Sequence, residues 1–293
     1  MGEELEELFT DESVDKVLQI YELYSRESVI SWMKNREAEK MEIRQITGNE
    51  EIAVVIPTSN ADGQLAKRAV ELFKGASITL VESKGKKFNF AKSVNAGILK
   101  VMEYKPSWIV VANDDTTYAE PVTKLMEDLS RTTKTLVMAK PSGYHSYKVS
   151  LIRPDENFLK GMVLFGKVLK LGYAEITGKL YLKYREKFKL NTMVAINSMM
   201  GPMRRFAGEV KEEVVNAGSF MILRRSRVKV PVLNEVFING YEDLLLSMNL
   251  RNDYEVIDYR LDEMRGASLG FGKLRFARNF VNEIYLNYLL QNG

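Results

Sequence analysis

The sequence predicts an α/β fold in which a mostly parallel sheet is flanked by helices, with a helical extension before it and a helical insertion within it. Three observations carry this. Short β-branched runs alternate with amphipathic helical patterns between Ile52 and Ala139, as βαβ crossovers require. The runs are apolar almost without interruption, which suits strands covered on both faces. Polar clusters follow the runs at Thr58-Ser59-Asn60, Glu82 and Asn113-Asp114-Asp115, at the carboxyl ends where open sheets of this kind bind ligands.

From Ser13 to about Ile46 the pattern is helical, with Val14, Val17, Leu18, Tyr21 and Tyr24 at three- and four-residue spacing. Residues 1–48 are therefore assigned to an N-terminal helical extension closed by Gly48-Asn49, and residues 49–293 to the main domain. The first strand is Ile52-Ala53-Val54-Val55-Ile56-Pro57, and Asn60-Ala61-Asp62-Gly63 turns the chain into a helix through about Phe73. A second strand, Ile78-Thr79-Leu80-Val81, closes on Glu82. Phe90, Val94, Ile98 and Met102 then share one helical stripe before the strand Trp108–Ala112. After the strand Thr135–Ala139 comes a basic, partly helical insertion, 141–211. A strand at Ser219–Leu223, a helix near Glu242–Leu250, a strand near Tyr254–Ile257 and a terminal helix from about Leu274 complete the pattern.

Composition removes several chemistries. With 293 residues, 45% of them apolar, the chain can bury a substantial core. It contains no cysteine, so a disulfide framework, a thiolate nucleophile and a cysteine-ligated zinc are excluded, in keeping with a reducing compartment. The single histidine, His145, cannot build a poly-histidine metal site and reads as a loop residue. The opening MGEELEELF lacks the features of a signal peptide, and no run of about 18 apolar residues occurs. A cytoplasmic protein, at most peripheral at a membrane, is expected. The net charge of +3 is too small to announce nucleic acid as a partner. It is unevenly spread: residues 1–50 carry 13 acidic and 6 basic side chains, whereas 141–211 carry 13 basic and 5 acidic. Such blocks form solvated faces or pack on one another.

Asn113-Asp114-Asp115-Thr116 follows an apolar strand directly, which holds carboxylates at the sheet rim. Hard cations such as Mg²⁺ and Mn²⁺ take oxygen ligands and are often bound by one or two carboxylates plus substrate phosphate oxygens. The same residues would equally cap a helix starting near Tyr118. Glu242-Asp243, after the turn Asn239-Gly240, would complement a helix N-terminus or supply a base to an attacking hydroxyl. Glu82 would accept N–H bonds from a nucleobase or simply end a strand.

The order and spacing of these pieces resemble the family-2 glycosyltransferases of the GT-A fold, and within them the rhamnosyltransferase-like subgroup. Pro57-Thr58-Ser59-Asn60 is similar to that family's P-T-Y-N, and Phe90-Ala91 with Asn95-Ala96-Gly97 to its G-F-A-x-x-x-N-x-G. Asn113-Asp114-Asp115-Thr116 resembles its N-x-D-T metal motif, and Gly218–Arg225 its glycine-apolar-R-R strand. Asn234-Glu235-Val236-Phe237, Glu242-Asp243 and Arg278-Asn279 are similar to its D-E-x-F, E-D and late R-N. The resemblance spans roughly residues 51–290, interrupted by the basic insertion.

The resemblance implies a GT-A-type, Rossmann-like sheet and transfer of a sugar from a UDP-, dTDP- or GDP-sugar to a glycan, lipid-linked or protein acceptor, with Mn²⁺ or Mg²⁺. Asp115 would hold the metal. Pro57, Thr58, Ser59, Lys92, Asn95, Asn113 and Asp114 would line the donor, with Glu82 at its base. Glu242 and Asp243 would form the catalytic pair, Asp243 acting as general base for an inverting displacement. The chain departs from the pattern at Ser59, where tyrosine is usual, and at Leu245, where many members have another aspartate. Glu263 stands five residues before Ser268, where many members carry a metal-binding histidine, and is therefore a candidate second ligand. A nucleotidyltransferase would use similar rim carboxylates, and a degenerate binding module would keep the fold without the chemistry.

In the basic insertion, Phe158-Leu159, Met162–Phe165, Val168-Leu169 and Leu171 alternate with Lys160, Lys167 and Lys170. An amphipathic segment of this kind suits a membrane interface, or packs as an ordinary buried helix beneath the acidic extension.

Overall fold

The computed structural model describes residues 2–140, 145–197, 208–264 and 272–292. Three short helices come first: α1 (Gly2–Thr10), α2 (Val14–Leu23) and α3 (Arg26–Asn35). Two strands follow, β1 (Met41–Ile46) and β2 (Asn49–Thr58), and then α4 (Gln64–Leu72), β3 (Ala76–Ser83), α5 (Phe90–Val101) and β4 (Trp108–Val111). Beyond them lie β5 (Thr116–Ala119), α6 (Val122–Ser130), β6 (Leu136–Ala139), β7 (His145–Arg153), α7 (Glu156–Val168) and α8 (Gly172–Tyr184). The chain continues through β8 (Met193–Ile196), β9 (Glu209–Gly218), β10 (Met221–Arg224), α9 (Glu242–Asn249), β11 (Tyr254–Ile257), β12 (Leu261–Glu263) and α10 (Lys273–Asn292).

The central sheet has the order β1-β3-β2-β4-β10-β6-β11. β2, β3, β4, β6 and β11 run one way, and β1 and β10 run against them. The architecture is thus mixed α/β with a mostly parallel sheet flanked by helices. Alternate residues of β2 feed two separate cores, Ala53 and Val55 on one face, Val54 and Ile56 on the other, because side chains alternate across a strand. That explains why the run is apolar throughout. Gly97 shows how tightly the first face is covered: a Cβ there would sit 2.4 Å from Val55 Cγ1, so α5 touches the sheet through a residue without a side chain.

Two expectations need correcting. Helical structure stops at Asn35, and Met41–Ile46 is a strand that pairs antiparallel with β3. The period-two alternation Met41-Glu42-Ile43-Arg44 is short, and pairing with β3 decides its conformation, since an edge strand gains its ladder from its neighbour. The segment 41–48 therefore belongs to the sheet and not to the extension. The basic insertion is likewise only half helical. It supplies β7 and β8, which with β9 form a second, antiparallel sheet of order β8-β7-β9. His145 begins β7, while 141–144 and 198–207 lie outside the described residues.

A third core joins this sheet to α1–α3, α7, α8 and α10. Tyr21 is its centre, with Phe280 and Phe188 edge-on at 5.0 and 6.1 Å and its hydroxyl donating to the Ala277 carbonyl. The acidic extension does pack on the basic stretch. Lys183 bonds Glu22 at 2.7 Å, and Lys187 donates to the carbonyls of Tyr21 and Glu22 at 2.8 Å each.

Candidate functional site

β2, β3 and β4 end together, so the loops after them share one rim. Thr58 Oγ1 donates to Asp114 Oδ2 at 2.6 Å, joining the ends of β2 and β4. No helix begins near Tyr118. Residues 116–119 form β5, and the next helix starts at Val122, so Asp114 and Asp115 do not serve as helix caps.

β5 pairs with β12, and this ladder brings the two candidate metal ligands side by side. Glu263 is in register with Thr116, and Met264 N donates to the Asp115 carbonyl at 2.9 Å. Asp115 is 4% exposed, and its Oδ1 has no hydrogen-bond partner among the described residues. Burial, with Asp114 adjacent, pushes its carboxyl up to about 6. Burial also raises Glu263, to about 7, and the Asp115 charge adds to this. Two crowded carboxyls with an unused buried oxygen suit a hard cation. Among the described residues no group of three or more His, Cys, Asp or Glu side chains gathers into a metal cage. The remaining ligands would have to be water and substrate phosphate oxygens, as is common for Mg²⁺. Ser268 lies outside the described residues.

Asp243 opens the first turn of α9 and is half-buried. Its Oδ1 accepts from Leu244 N at 2.9 Å and its Oδ2 from Asn216 Nδ2 at 2.7 Å. Desolvation raises its pKa, while these bonds and the Arg275 charge oppose the rise. Glu242 is buried and folded back on the Gly240 N–H at 2.7 Å. Burial and the neighbouring Asp243 push it upward as well.

The acids meet through one short segment. Ser219 Oγ donates to Glu263 Oε2 at 2.7 Å, and Asn216, three residues earlier, holds Asp243. Three residues span at most about 11 Å. Gly218, at φ 68°, breaks the strand between them, a left-handed conformation that favours glycine. Neither Asn216 nor Ser219 is a candidate from sequence, because each is an ordinary polar residue whose partner lies far along the chain. Arg68 on α4 also goes unforeseen. Its Nε donates to the Thr116 carbonyl at 3.0 Å, and its charge opposes, without cancelling, the rise that burial imposes on Asp114 and Asp115.

Other candidates are already engaged within the protein. Asn95 uses both amide hydrogens, to the Leu233 carbonyl at 2.8 Å and Glu235 Oε1 at 3.0 Å, and its oxygen accepts from the N–H groups of Val232 and Leu233. An asparagine has no further capacity, so it clamps the 232–235 loop and cannot also hold a donor. Lys92 Nζ donates to the Arg36 carbonyl at 2.8 Å, tying α5 to the end of α3. Glu82 accepts the Ala61 N–H at 2.9 Å and faces Arg44 of β1 at 3.6 Å. Thr58 is buried, whereas Ser59 and Asn60 are exposed on the rim beside Asn113.

No family model matches the chain, and no curated protein matches it. Among solved structures, the crystal structure of A197 from STIV is similar over 73% of this chain and 85% of that one, with 8% identity and a TM-score of 0.41.

Proposed function

We propose that the protein is a glycosyltransferase that moves a sugar from a nucleoside-diphosphate sugar onto an acceptor hydroxyl with inversion. The observation that carries the reading is the arrangement just described: the Asp115–Glu263 pair and Asp243 lie at the two ends of the segment Asn216–Ser219. In this reading the pair would bind the cation and Asp243 would be the base, both serving one bound substrate.

Asp115 and Glu263 would hold Mn²⁺ or Mg²⁺, which neutralises charge on a diphosphate leaving group. Thr58 keeps Asp114 oriented, so that Asp114 and Asn113 line the donor side. Asp243, fixed by Asn216 and the Leu244 N–H, accepts the acceptor's proton as the acceptor oxygen bonds to the anomeric carbon and the bond to the diphosphate breaks. Burial raises the Asp243 pKa, while the bonds from Asn216 and the Leu244 N–H, with the Arg275 charge, favour its ionised form.

Thermal-shift titration with UDP-, dTDP- and GDP-sugars, with and without Mn²⁺, tests the reading. Metal-dependent stabilisation by one nucleotide class is expected, followed by release of the nucleoside diphosphate in the presence of an acceptor. Release of sugar 1-phosphate, with the nucleoside monophosphate transferred, would assign a nucleotidyltransferase instead. The internal engagement of Glu82, Lys92 and Asn95 favours a second reading, a binding module on the same fold. That reading stands if nucleotide binds and no sugar moves.

A further inference from the structure

α7 and α8 form a hairpin whose inner faces are in close contact. A Cβ on Gly166 would meet Glu175 N at 2.4 Å, and one on Gly178 would meet Val163 Cγ2 at 2.9 Å. Phe158, Leu159 and Met162 turn inward to the core. The outer face and the tip, which should then be polar, are apolar. Leu164, Phe165, Val168, Leu169 and Leu171 are exposed, Leu164, Val168 and Leu169 by 61, 69 and 60%. Within so few consecutive residues this makes a contiguous patch, and such patches mark interaction sites.

The surroundings indicate the partner. Lys160, Lys167 and Lys170 are exposed around the patch, and the hairpin 156–184 carries five lysines against two glutamates. Both glutamates are already neutralised, Glu156 by Lys160 at 2.7 Å and Glu175 by Lys179 and Lys273 at 2.6 and 2.8 Å. The apolar residues crown the end of a helical hairpin and do not line a groove. Apolar side chains presented at a helix end, fringed by lysines long enough to reach outward, match a bilayer interface with anionic head groups.

We infer that the tip of the α7–α8 hairpin docks on an anionic lipid bilayer. Its position gives the contact a use. Tyr173, in the first turn of α8, meets Phe276 of α10 edge-on at 5.4 Å, and Arg275, beside Phe276, is the cation acting on Glu242 and Asp243. A bilayer engaged at the tip would thus adjoin the start of α10, the helix that carries Arg275, and would present a lipid-linked acceptor there. Only this last step rests on the proposed glycosyl transfer; the docking itself does not.

The test is co-sedimentation of the full chain, without donor, with vesicles of phosphatidylglycerol and phosphatidylcholine in equal parts and with vesicles of phosphatidylcholine alone. Binding to the anionic vesicles at low salt, weakened by salt, is expected. Changing Lys160, Lys167 and Lys170 together to Glu should lower partitioning by about a hundredfold or more. Val168→Asp with Leu169→Asp should abolish it while the melting temperature stays unchanged. Leu169→Trp should show a blue-shifted emission on anionic vesicles only. Absence of sedimentation at low salt overturns the inference, as does binding that survives both sets of changes. So does a patch variant that alters the oligomeric state in gel filtration while vesicle binding is absent, since the face would then meet a second copy of the chain. Vesicle binding without any sugar transfer would leave docking standing and remove only the proposed activity.

Discussion

Asn216 donates from Nδ2 to Asp243 Oδ2 over 2.7 Å, tying the first turn of α9 to the end of β9 three residues before Ser219 makes the equivalent contact with Glu263. Asn216 also accepts from Ser247 Oγ at 3.2 Å, and that hydroxyl receives the Ala217 N–H at 3.0 Å. Asp243, the proposed base, is thus held by the second, antiparallel sheet and not by the parallel core. Asn216→Ala should leave the fold in place and lower sugar transfer by roughly tenfold to a hundredfold, with an altered pH profile, because Asp243 loses a bond that favours its ionised form. An unchanged profile in a folded variant would remove Asn216 from the site.

Asp243→Asn should lower transfer by roughly 10²-fold or more while leaving nucleotide affinity intact, the range expected when a general base is lost. The Asn216–Asp243 contact shares no residue with the Thr58–Asp114 contact, so donor binding is expected to persist. Near-native turnover, or a product with retained anomeric configuration, would place the base elsewhere.

Asp115→Ala should eliminate the Mn²⁺-dependent part of nucleotide stabilisation in thermal-shift titrations. A cation held by two protein carboxylates cannot lose one of them without a large drop in affinity. Glu263→Gln should weaken the same response less severely, since its Ser219 contact can persist. Equal Mn²⁺ responses in native and Asp115→Ala protein would refute the metal assignment.

Asn95→Ala and Gly97→Ala should act on stability and not on ligand binding. The first leaves the Val232 and Leu233 N–H groups without their acceptor, at a cost of roughly 2–4 kcal/mol. The second forces a methyl group against Val55, at a cost of roughly 1–3 kcal/mol. Urea unfolding measures both. An Asn95→Ala protein of native stability with weakened nucleotide binding would restore this residue to the donor site.

Glu283 predicts a pH dependence that involves no ligand. It is buried, it accepts from Tyr241 and Tyr181 at 2.6 and 2.7 Å, and burial pushes it up to about 7. A carboxyl raised in the folded state stabilises when protonated, so its contribution is full below about pH 4.5 and is lost as pH rises through 7. The loss amounts to roughly 3 kcal/mol. Glu283→Gln should therefore flatten the stability curve between those limits relative to the native chain. Glu175, held at about 2 by Lys179 and Lys273, works in the opposite sense, its contribution disappearing as pH falls from about 4.5 toward 2. Parallel curves for the native and Glu283→Gln proteins would show that Glu283 is ionised at no cost in the fold.

The sequence by itself determined the parallel core and the rim acids. A strand covered on both faces must be apolar at every position, as Ile52–Ile56 is, and a residue such as Asp115 that directly follows such a strand has nowhere to be except the sheet rim. These are local consequences of periodicity and burial. Tertiary structure alone decided what depends on distant partners. Met41–Ile46 became a strand because β3 offered a ladder, and the 116–119 stretch became β5 because β12 lay beside it. Asn95 and Gly97 proved to serve packing of α5, although the motif around them suggested donor contact. The pairing of Asp115 with Glu263 joins residues almost 150 positions apart in sequence. The motif resemblance named both as metal-ligand candidates, but their adjacency comes from the β5–β12 register, which is set by the packing of everything between them.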